Sequence, residues 1–583
     1  MSLITTLARM EAVREGRAQP LTTVRHRHLS QRPLAFVPLT TAGEAGAPLG
    51  ALVGTDRDAP RLLIVAQPRD RDLRFAFLAE LAEEIQPYLD SYGDEVELEE
   101  RKETDPETGK KVPVQVELCQ DAPQLLVPSA AGVAFVRLLG RSMRFRRTAE
   151  QDPETPFPAP ARVPLLGRWL THYGERARVP GSCLLLSLTE LLSRHWATGQ
   201  SNLEDQHLGS LLAWIDPPEG VPGAEAALRA ESERDEGGQL RCPPAGPSTD
   251  PAFDNKLLAP AMSRYDAARA EASQGVAGGA ARLRLAEAEL RGLIESQLRP
   301  TWDALWHGVD LLRALPEGAR VADRWKRDRW SYTGHRDRVR AGEPPQPKLD
   351  DAVTAAQKLA ARETAQAQLD AHEALDDPLV MAGRRLAGEA FAGEVIDVEM
   401  AWSDAKVPRP RPLVTIRTED RPHLAERVKL HRVTADGRAQ SGEFAGFADL
   451  DGADGPNEAD GPDEADGADV VGGPGDTDAA GDTHGPGDAH APGVAHGPGV
   501  AHGPGRALVV RLTGGMGRGK RPEPGTVPEK GDRVCWTLFE HAPRGGPELP
   551  DAESTPWTHG GPPDAAAPAQ GPQPDPMTEE DYL

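Results

Sequence analysis

Tryptophan, lysine and arginine stand at two places in the C-terminal third where they could hold a phosphate backbone. Trp402, Lys406, Arg409 and Arg411 fall between two strand-like runs, and Arg518, Lys520 and Arg521 between two later ones. Cations neutralise phosphates and release condensed counterions, while an exposed indole offers a face on which a base can stack. The stretches 379–435 and 506–544 together hold eighteen Lys and Arg against twelve Asp and Glu, on a chain whose formal net charge is −25. Local positive charge on an acidic chain marks a candidate polyanion site. Ordinary Gly/Pro/Arg surface in an arginine-rich composition is the competing explanation, and the sequence leaves both open. A second basic and aromatic run contains Arg324, Trp325, Lys326, Arg329 and Trp330. It suits either base stacking with phosphate contact, or a helix that packs its tryptophans while its arginines snorkel. A third cluster, Arg137, Arg141, Arg144, Arg146 and Arg147, reads as cations complementing a helix C-terminus.

Other chemistries need patterns that are incomplete here. Gly514-Gly515-Met516-Gly517-Arg518-Gly519-Lys520 follows a strand and comes near a phosphate-binding loop. Position 521 is Arg, so no hydroxyl reaches Mg²⁺, and Pro522-Glu523-Pro524-Gly525 blocks the helix whose N-terminus should face the phosphates. A metal-dependent nuclease of the paired-acid type needs an Asp on one strand and Glu-x-Lys on its hairpin neighbour. Glu100-Arg101-Lys102 supplies such a triplet but precedes the turn, and the following strand offers Glu117. His26 and His28 alternate along an extended stretch, where a basic surface strand explains them without a metal. His484, His490, His496 and His502 recur in Gly/Pro-rich near-repeats. Such an array can bind a divalent metal, and a slipped-repeat linker explains it without one. Cys119, Cys183, Cys242 and Cys535 form no CxxC pair and read as unpaired thiols in a reducing compartment. HExxH, GxSxG and Cys/His zinc spacings do not occur. No catalytic residue, metal or cofactor is therefore assigned.

The elements that must position these residues follow from composition and period. The 583 residues are 38% hydrophobic and 5% aromatic, with 59 Gly and 55 Pro, which predicts folded domains joined by uncompacted segments. No apolar run approaches the ~18–20 residues of a membrane span. The N-terminus carries charges where a signal peptide is apolar, so a cytoplasmic protein is expected. Residues 1–32 read as an extension. Residues 33–150 mix strand-like runs (34–39, 62–66, 96–99, 112–119, 124–127) with helical stretches at 73–89 and 132–139, predicting a small α+β domain. Asp105-Pro106-Glu107-Thr108-Gly109 is a hairpin turn signal within it. Residues 163–215 predict a helical domain, with one helix capped by Ser182 and another by the capping box from Ser201 to Glu204. A Pro/Gly/charge linker covers 216–253. Helices at 256–273, 280–298, 302–315 and 351–375 predict a helical hairpin and coiled-coil-like stalk over 254–375.

Beyond residue 379 the period changes to two. Strands at 393–401, 412–418, 426–433, 506–513 and 531–539 predict a five-stranded barrel of oligonucleotide-binding type over 379–447 and 506–545. The insert 449–504 carries thirteen acidic side chains and no Lys or Arg over 449–488, and with the tail 546–583 it reads as disordered. The fold class is multidomain α+β, with an N-terminal mixed α/β domain, a central helical region and the interrupted barrel. Both basic loops are those with which such barrels clasp single strands.

A helical stalk followed by a small barrel with PLVTIRTED, LTGGMGRGKRPEPG and GDRVCW resembles the β-barrel accessory domain of superfamily 1 DNA/RNA helicases. The motor's phosphate loop and acidic metal-binding strand are absent, so the resemblance implies nucleic-acid contact or a helicase-type partner, not translocation. The expectation is a non-catalytic accessory protein that contacts single-stranded DNA or RNA through the barrel loops, beside a separately encoded ATPase and away from any membrane. Two other readings stay open. One is a protein–protein scaffold that recruits partners through its helices, its acidic tract or the terminal Glu579-Glu580-Asp581-Tyr582-Leu583. The other is a nuclease in residues 33–150 using Glu100 or Glu117.

Overall fold

A computed structural model describes residues 3–44, 46–104, 109–449 and 506–542. The turn residues 105–108, the acidic and histidine-bearing insert from 450 to 505, and the tail from 543 lie outside the described residues. The chain divides into two compact units, 1–387 with 539–583, and 388–538.

The first unit is built around a five-stranded mixed sheet. Strands β1 (Leu34–Thr40), β2 (Pro48–Gly54) and β3 (Arg61–Ile64) form an antiparallel meander. After a separate hairpin of β4 (Val96–Thr104) and β5 (Lys111–Cys119), β6 (Leu125–Val127) returns parallel to β1, and β7 (Leu185–Ser187) lies parallel to β6. The order is β3-β2-β1-β6-β7. Every residue of β1 is buried, which marks a central strand covered on both faces.

Helices follow in chain order: α1 (Leu3–Glu15), α2 (Arg71–Asp90), α3 (Ala130–Met143), α4 (Val163–Arg176), α5 (Leu188–His195) and α6 (Leu208–Ile215). Then come α7 (Gly223–Ser232), α8 (Ala259–Ser273), α9 (Gly279–Arg313), α10 (Val321–Arg340), α11 (Ala352–Asp376) and α12 (Pro378–Leu386). Helix α9 packs on the meander through Ile294, which reaches so close to Gly50 that a Cβ there would lie 2.8 Å from its Cγ2.

One hydrophobic core runs from Ala12 to Tyr332. The stretches that periodicity separates into 33–150, 163–215 and 254–375 therefore share a single interior. The 216–253 stretch is also structured: α7 lies in it, and Thr40 exchanges backbone hydrogen bonds with Pro247 and Thr249. The expected break at Pro300 does not occur, because Leu298, Thr301, Trp302 and Leu305 are buried on both sides of it and hold α9 continuous. Helix α11 is no free stalk, since Leu369, Ala371, Glu373 and Ala374 dock against the unit.

The second unit is a closed antiparallel barrel of six strands, not five. They are β8 (Ala390–Glu399), β9 (Leu413–Arg417), β10 (Lys429–Val433), β11 (Ala439–Asp449), β12 (Arg506–Gly514) and β13 (Arg533–Thr537). Their order around the barrel is β8-β9-β12-β11-β10-β13. Strand β11 is the one the period missed. Gly442 and Gly446 interrupt its apolar positions, and the register slips between Phe444 and Gly446, so Phe444 and Phe447 meet edge to face at 5.0 Å. Gly442 is required: a Cβ would lie 2.7 Å from Val510 and 3.1 Å from the ring of Trp536, the largest side chain in this core. Because β9 pairs with β12 and not with β10, the strand order differs from a simple meander of β8, β9 and β10.

Candidate nucleic-acid interface

Strand directions decide where the basic loops stand. Leu413 pairs with Arg511 and with Glu399, Ser441 with Gly514, and Val433 with Ala439. The β8–β9 loop (400–412), the β10–β11 turn (434–438) and the start of the β12–β13 loop therefore lie at one end of the barrel. Asp449 and Arg506, from which the acidic insert departs, pair with each other at the opposite end.

The β8–β9 loop continues the hairpin beyond the barrel wall. Arg411 N donates to Ala401 O at 2.7 Å, Ser403 N to Arg409 O at 2.8 Å, and Trp402 bridges Pro410. This short ladder carries Trp402, half exposed, and raises Lys406 and Arg409 into solvent. Arg411 has a different task from its neighbours. Its Nη1 donates to Thr513 O at 2.8 Å, which ties the first loop to the end of β12, where the second begins.

The second loop is pinned from below by Met516, which is buried in the barrel core. Gly515 makes this possible with φ +80°. Arg518, Lys520 and Arg521 follow in an irregular exposed turn, with no helix behind it to form a phosphate loop. Among the described residues, the side chains of Lys406, Arg409, Arg518, Lys520 and Arg521 have no hydrogen-bond or ion-pair partner. Glu523 in the same loop is already engaged by Arg438. Beneath the loops Arg432 is buried, with Nε donating to Gln440 Oε1 at 2.6 Å and its guanidinium over the Trp536 ring at 5.2 Å. Burial lowers its pKa to about 10, so it stays a cation at neutral pH. Residues 436–449, which belong to no strand in the sequence reading, add Asp436, Glu443 and Asp449 against Arg438 and trim the barrel's positive surplus.

Gly515 offers a test of the anchored loop. A Cβ at this position would lie 2.7 Å from Ala439 O and 2.8 Å from Gln440 Cα, with φ in the left-handed region. Gly515→Val is expected to lower the barrel's stability by about 1–3 kcal/mol. Thermal melting followed at the tryptophans checks this, and an unchanged melt would contradict it.

The Arg324–Trp330 patch is placed quite differently. Arg324 is buried, with Nη2 on His26 O at 3.0 Å and Nη1 on His372 Nδ1 at 2.9 Å. Trp325 donates from Nε1 to Asp121 Oδ1 at 2.8 Å and stacks on His28 at 4.1 Å. Lys326 binds Glu99 at 2.5 Å, Arg329 binds Glu97 and Cys119 O, and Trp330 lies beneath Arg101. These groups hold α10 to the β4–β5 hairpin and to residues 25–28.

The latter segment is no surface strand. Arg25, His26 and Arg27 are buried, and Glu317 and Glu373 bind Arg25 and Arg27 at 2.7 and 3.0 Å. Asp377 approaches His26 Nε2 at 3.4 Å. Within the third cluster, Arg144 is also buried, its Nε on Gln346 O at 3.0 Å.

Glu100 and Glu117 stand on the exposed hairpin, opposite Gln115 and Leu98. Among the described residues no group of three His, Cys, Asp or Glu is placed to hold a metal ion. Burial raises the Cys183 thiol to about 12. No helix of the described residues is long and apolar enough to cross a membrane.

Buried imidazoles give this unit a pH dependence. Burial lowers His195 to about 4, against the hydrogen bond to Leu191 O that favours its charged form. Burial, with Arg338 and Arg168, lowers His335 to about 3, where it stacks on His172 at 4.2 Å. The unfolded chain takes up these protons near pH 6.5 and the folded one does not. Their contribution is therefore complete above that pH and shrinks as pH falls toward the folded values. At pH 5 each costs about 2 kcal/mol. Urea midpoints at pH 7.5 and 5.0 should show the drop, and His195→Gln with His335→Gln should reduce it. A drop of equal size in that variant would contradict the assignment.

Comparison with known proteins adds no relative: no family model, no curated protein and no solved structure matches this chain.

Proposed function

We propose that this protein binds single-stranded nucleic acid at the basic end of its C-terminal barrel. One observation carries the reading. Two loops tied together by the Arg411–Thr513 bond present five cations, unpaired among the described residues, beside a half-exposed indole. Lys406, Arg409, Arg518, Lys520 and Arg521 supply phosphate contacts, Trp402 a stacking face, and Arg411 holds the loops in register. Cations spaced over two separate loops suit a backbone that can bend, and stacking needs an unpaired base, so a single strand fits better than a duplex. A helicase-type ATPase as partner belongs to the same proposal and rests on the resemblance of the C-terminal sequence alone.

The test is titration of the full-length chain against labelled single-stranded DNA and RNA. Lys520→Ala with Arg521→Ala is expected to weaken binding and to reduce the salt slope by about 1.4, the value for two single-strand phosphate contacts. An unchanged slope would remove both residues from the footprint. Absence of binding at low salt would leave the protein–protein scaffold as the better reading.

A further inference from the structure

The first unit contains a cavity of about 380 Å³ with an uneven distribution of charge. It opens where the loop after β1, the first turns of α2 and the last turns of α3 meet. Arg69, Arg71, Arg74 and Arg146 line it, with Glu44 the lone carboxylate. That carboxylate is already used: Arg69 Nε donates to Glu44 Oε1 at 2.7 Å. Arg74 is braced by Pro68 O at 2.6 Å, and Arg71 lies over the Phe157 ring at 3.9 Å. Among the described residues, Arg71 has no hydrogen-bond or ion-pair partner. The apolar part of the wall is Phe75, Leu78, Leu139 and Met143, of which the last three are core residues.

Beyond the Arg69–Glu44 pair, three guanidinium groups converge on one apolar floor, Arg71 exposed and Arg74 and Arg146 half-buried, and all remain open to solvent and to a ligand. Arginine forks match phosphate oxygens two at a time and also stack on flat rings. A volume near 380 Å³ falls at the small end of the range for ligand sites, where an apolar wall with few convergent polar groups is the usual design. The geometry points to a binding site for a small aromatic phosphate monoester of nucleoside-monophosphate size. Its phosphate lies between Arg71, Arg74 and Arg146, and its ring lies on Phe75 and Met143. The Glu44–Arg69 pair forms the partition to a neighbouring cavity of about 390 Å³, which both residues also line. This pair tunes the site: without the carboxylate, Arg69 turns to the ligand.

The two kinds of substitution have opposite signs, which separates a ligand site from mere damage to the fold. Full-length protein is titrated calorimetrically with adenosine monophosphate and with 1-naphthyl phosphate, using adenosine, 1-naphthol and inorganic phosphate as controls. At least one ester should bind saturably below 1 mM (about −4 kcal/mol), and at least tenfold more tightly than its own alcohol or inorganic phosphate. Preference for adenosine monophosphate identifies a nucleotide as the source, and equal affinity identifies aromatic phosphates generally. Arg71→Gln with Arg146→Gln should weaken the ester at least tenfold, while Glu44→Gln tightens it about threefold. Lys520→Gln in the barrel should leave it unchanged. Neither ester binding below 1 mM, inorganic phosphate binding as tightly as both esters, or Glu44→Gln weakening them would overturn the assignment.

Discussion

Asp328→Asn is expected to destabilise the first unit by about 3–5 kcal/mol, the largest loss foreseen for a single substitution. Asp328 is fully buried near the middle of α10. Its Oδ1 accepts from Ser182 Oγ at 2.7 Å and from Arg176 at 2.8 Å, and its Oδ2 from Cys183 N at 2.6 Å. An amide of the same shape removes the charge that Arg176 faces. It also turns two donor hydrogens toward groups that themselves donate, so at least one buried donor goes unsatisfied. Because Ser182 and Cys183 lead directly into β7, the damage reaches the edge of the central sheet. Denaturant unfolding at pH 7.5 measures the effect. A loss below 1 kcal/mol would show that the site relaxes around the amide and that the carboxylate does not organise it.

The second large effect concerns binding. With Arg518, Lys520 and Arg521 all changed to Gln, affinity for a single strand at 50 mM salt should fall several hundredfold. Each single-strand phosphate contact releases about 0.7 counterion, worth about 1.2 kcal/mol at that salt concentration. Removing all three cations triples that free energy, which is a factor of several hundred in affinity. These side chains are exposed and unpaired among the described residues, so thermal stability should not change by more than about 0.5 kcal/mol. Loss of binding with an intact melt assigns the loop to the interface. Retained binding would move the interface elsewhere.

How much of this was legible in the sequence depends on the kind of signal each element leaves. Helix α2 is announced by Phe75, Leu78, Leu81 and Ile85 at helical spacing, and Asp70 caps it by accepting from the Asp72 and Leu73 amides. The capping box of Ser201 and Glu204 forms reciprocally, yet it starts a single 3₁₀ turn, and His207 caps α6 separately. Strand β2 was invisible because Pro48, Gly50 and Gly54 give it turn-like composition, while Gly50 is required because a Cβ there would lie 2.8 Å from both Leu63 O and Ile294 Cγ2. The run from Leu184 to Leu188 looks like the start of a helix, and only pairing with β6 makes Leu185–Ser187 a strand. A short apolar run carries no period by which to tell the two apart. In the barrel, alternation showed five strands, while two glycines and a bulge hid β11.

The candidate interface was legible in charge and position but not in its internal support. Trp402 and the cations are visible as residue types between strands. That Arg411 acts as a tether, and Met516 as an anchor, depends on contacts across the barrel end. Met516 did leave a trace, as the lone apolar residue in a Gly-rich basic loop. Nothing in the sequence distinguished Arg324 and Trp325 from a binding patch, because burial against residues 25–28 is set by chain segments about three hundred residues apart. The same limit hid the arginine-lined cavity, whose members come from three separate segments.

The central claim is electrostatic, and the most direct measurement is the affinity of the full-length chain for one labelled single strand across a salt series from 50 to 200 mM. Five phosphate contacts predict a slope of log K against log salt of about −3.5, and so roughly a hundredfold loss over that range. A slope near zero, or no binding at 50 mM, would contradict the account.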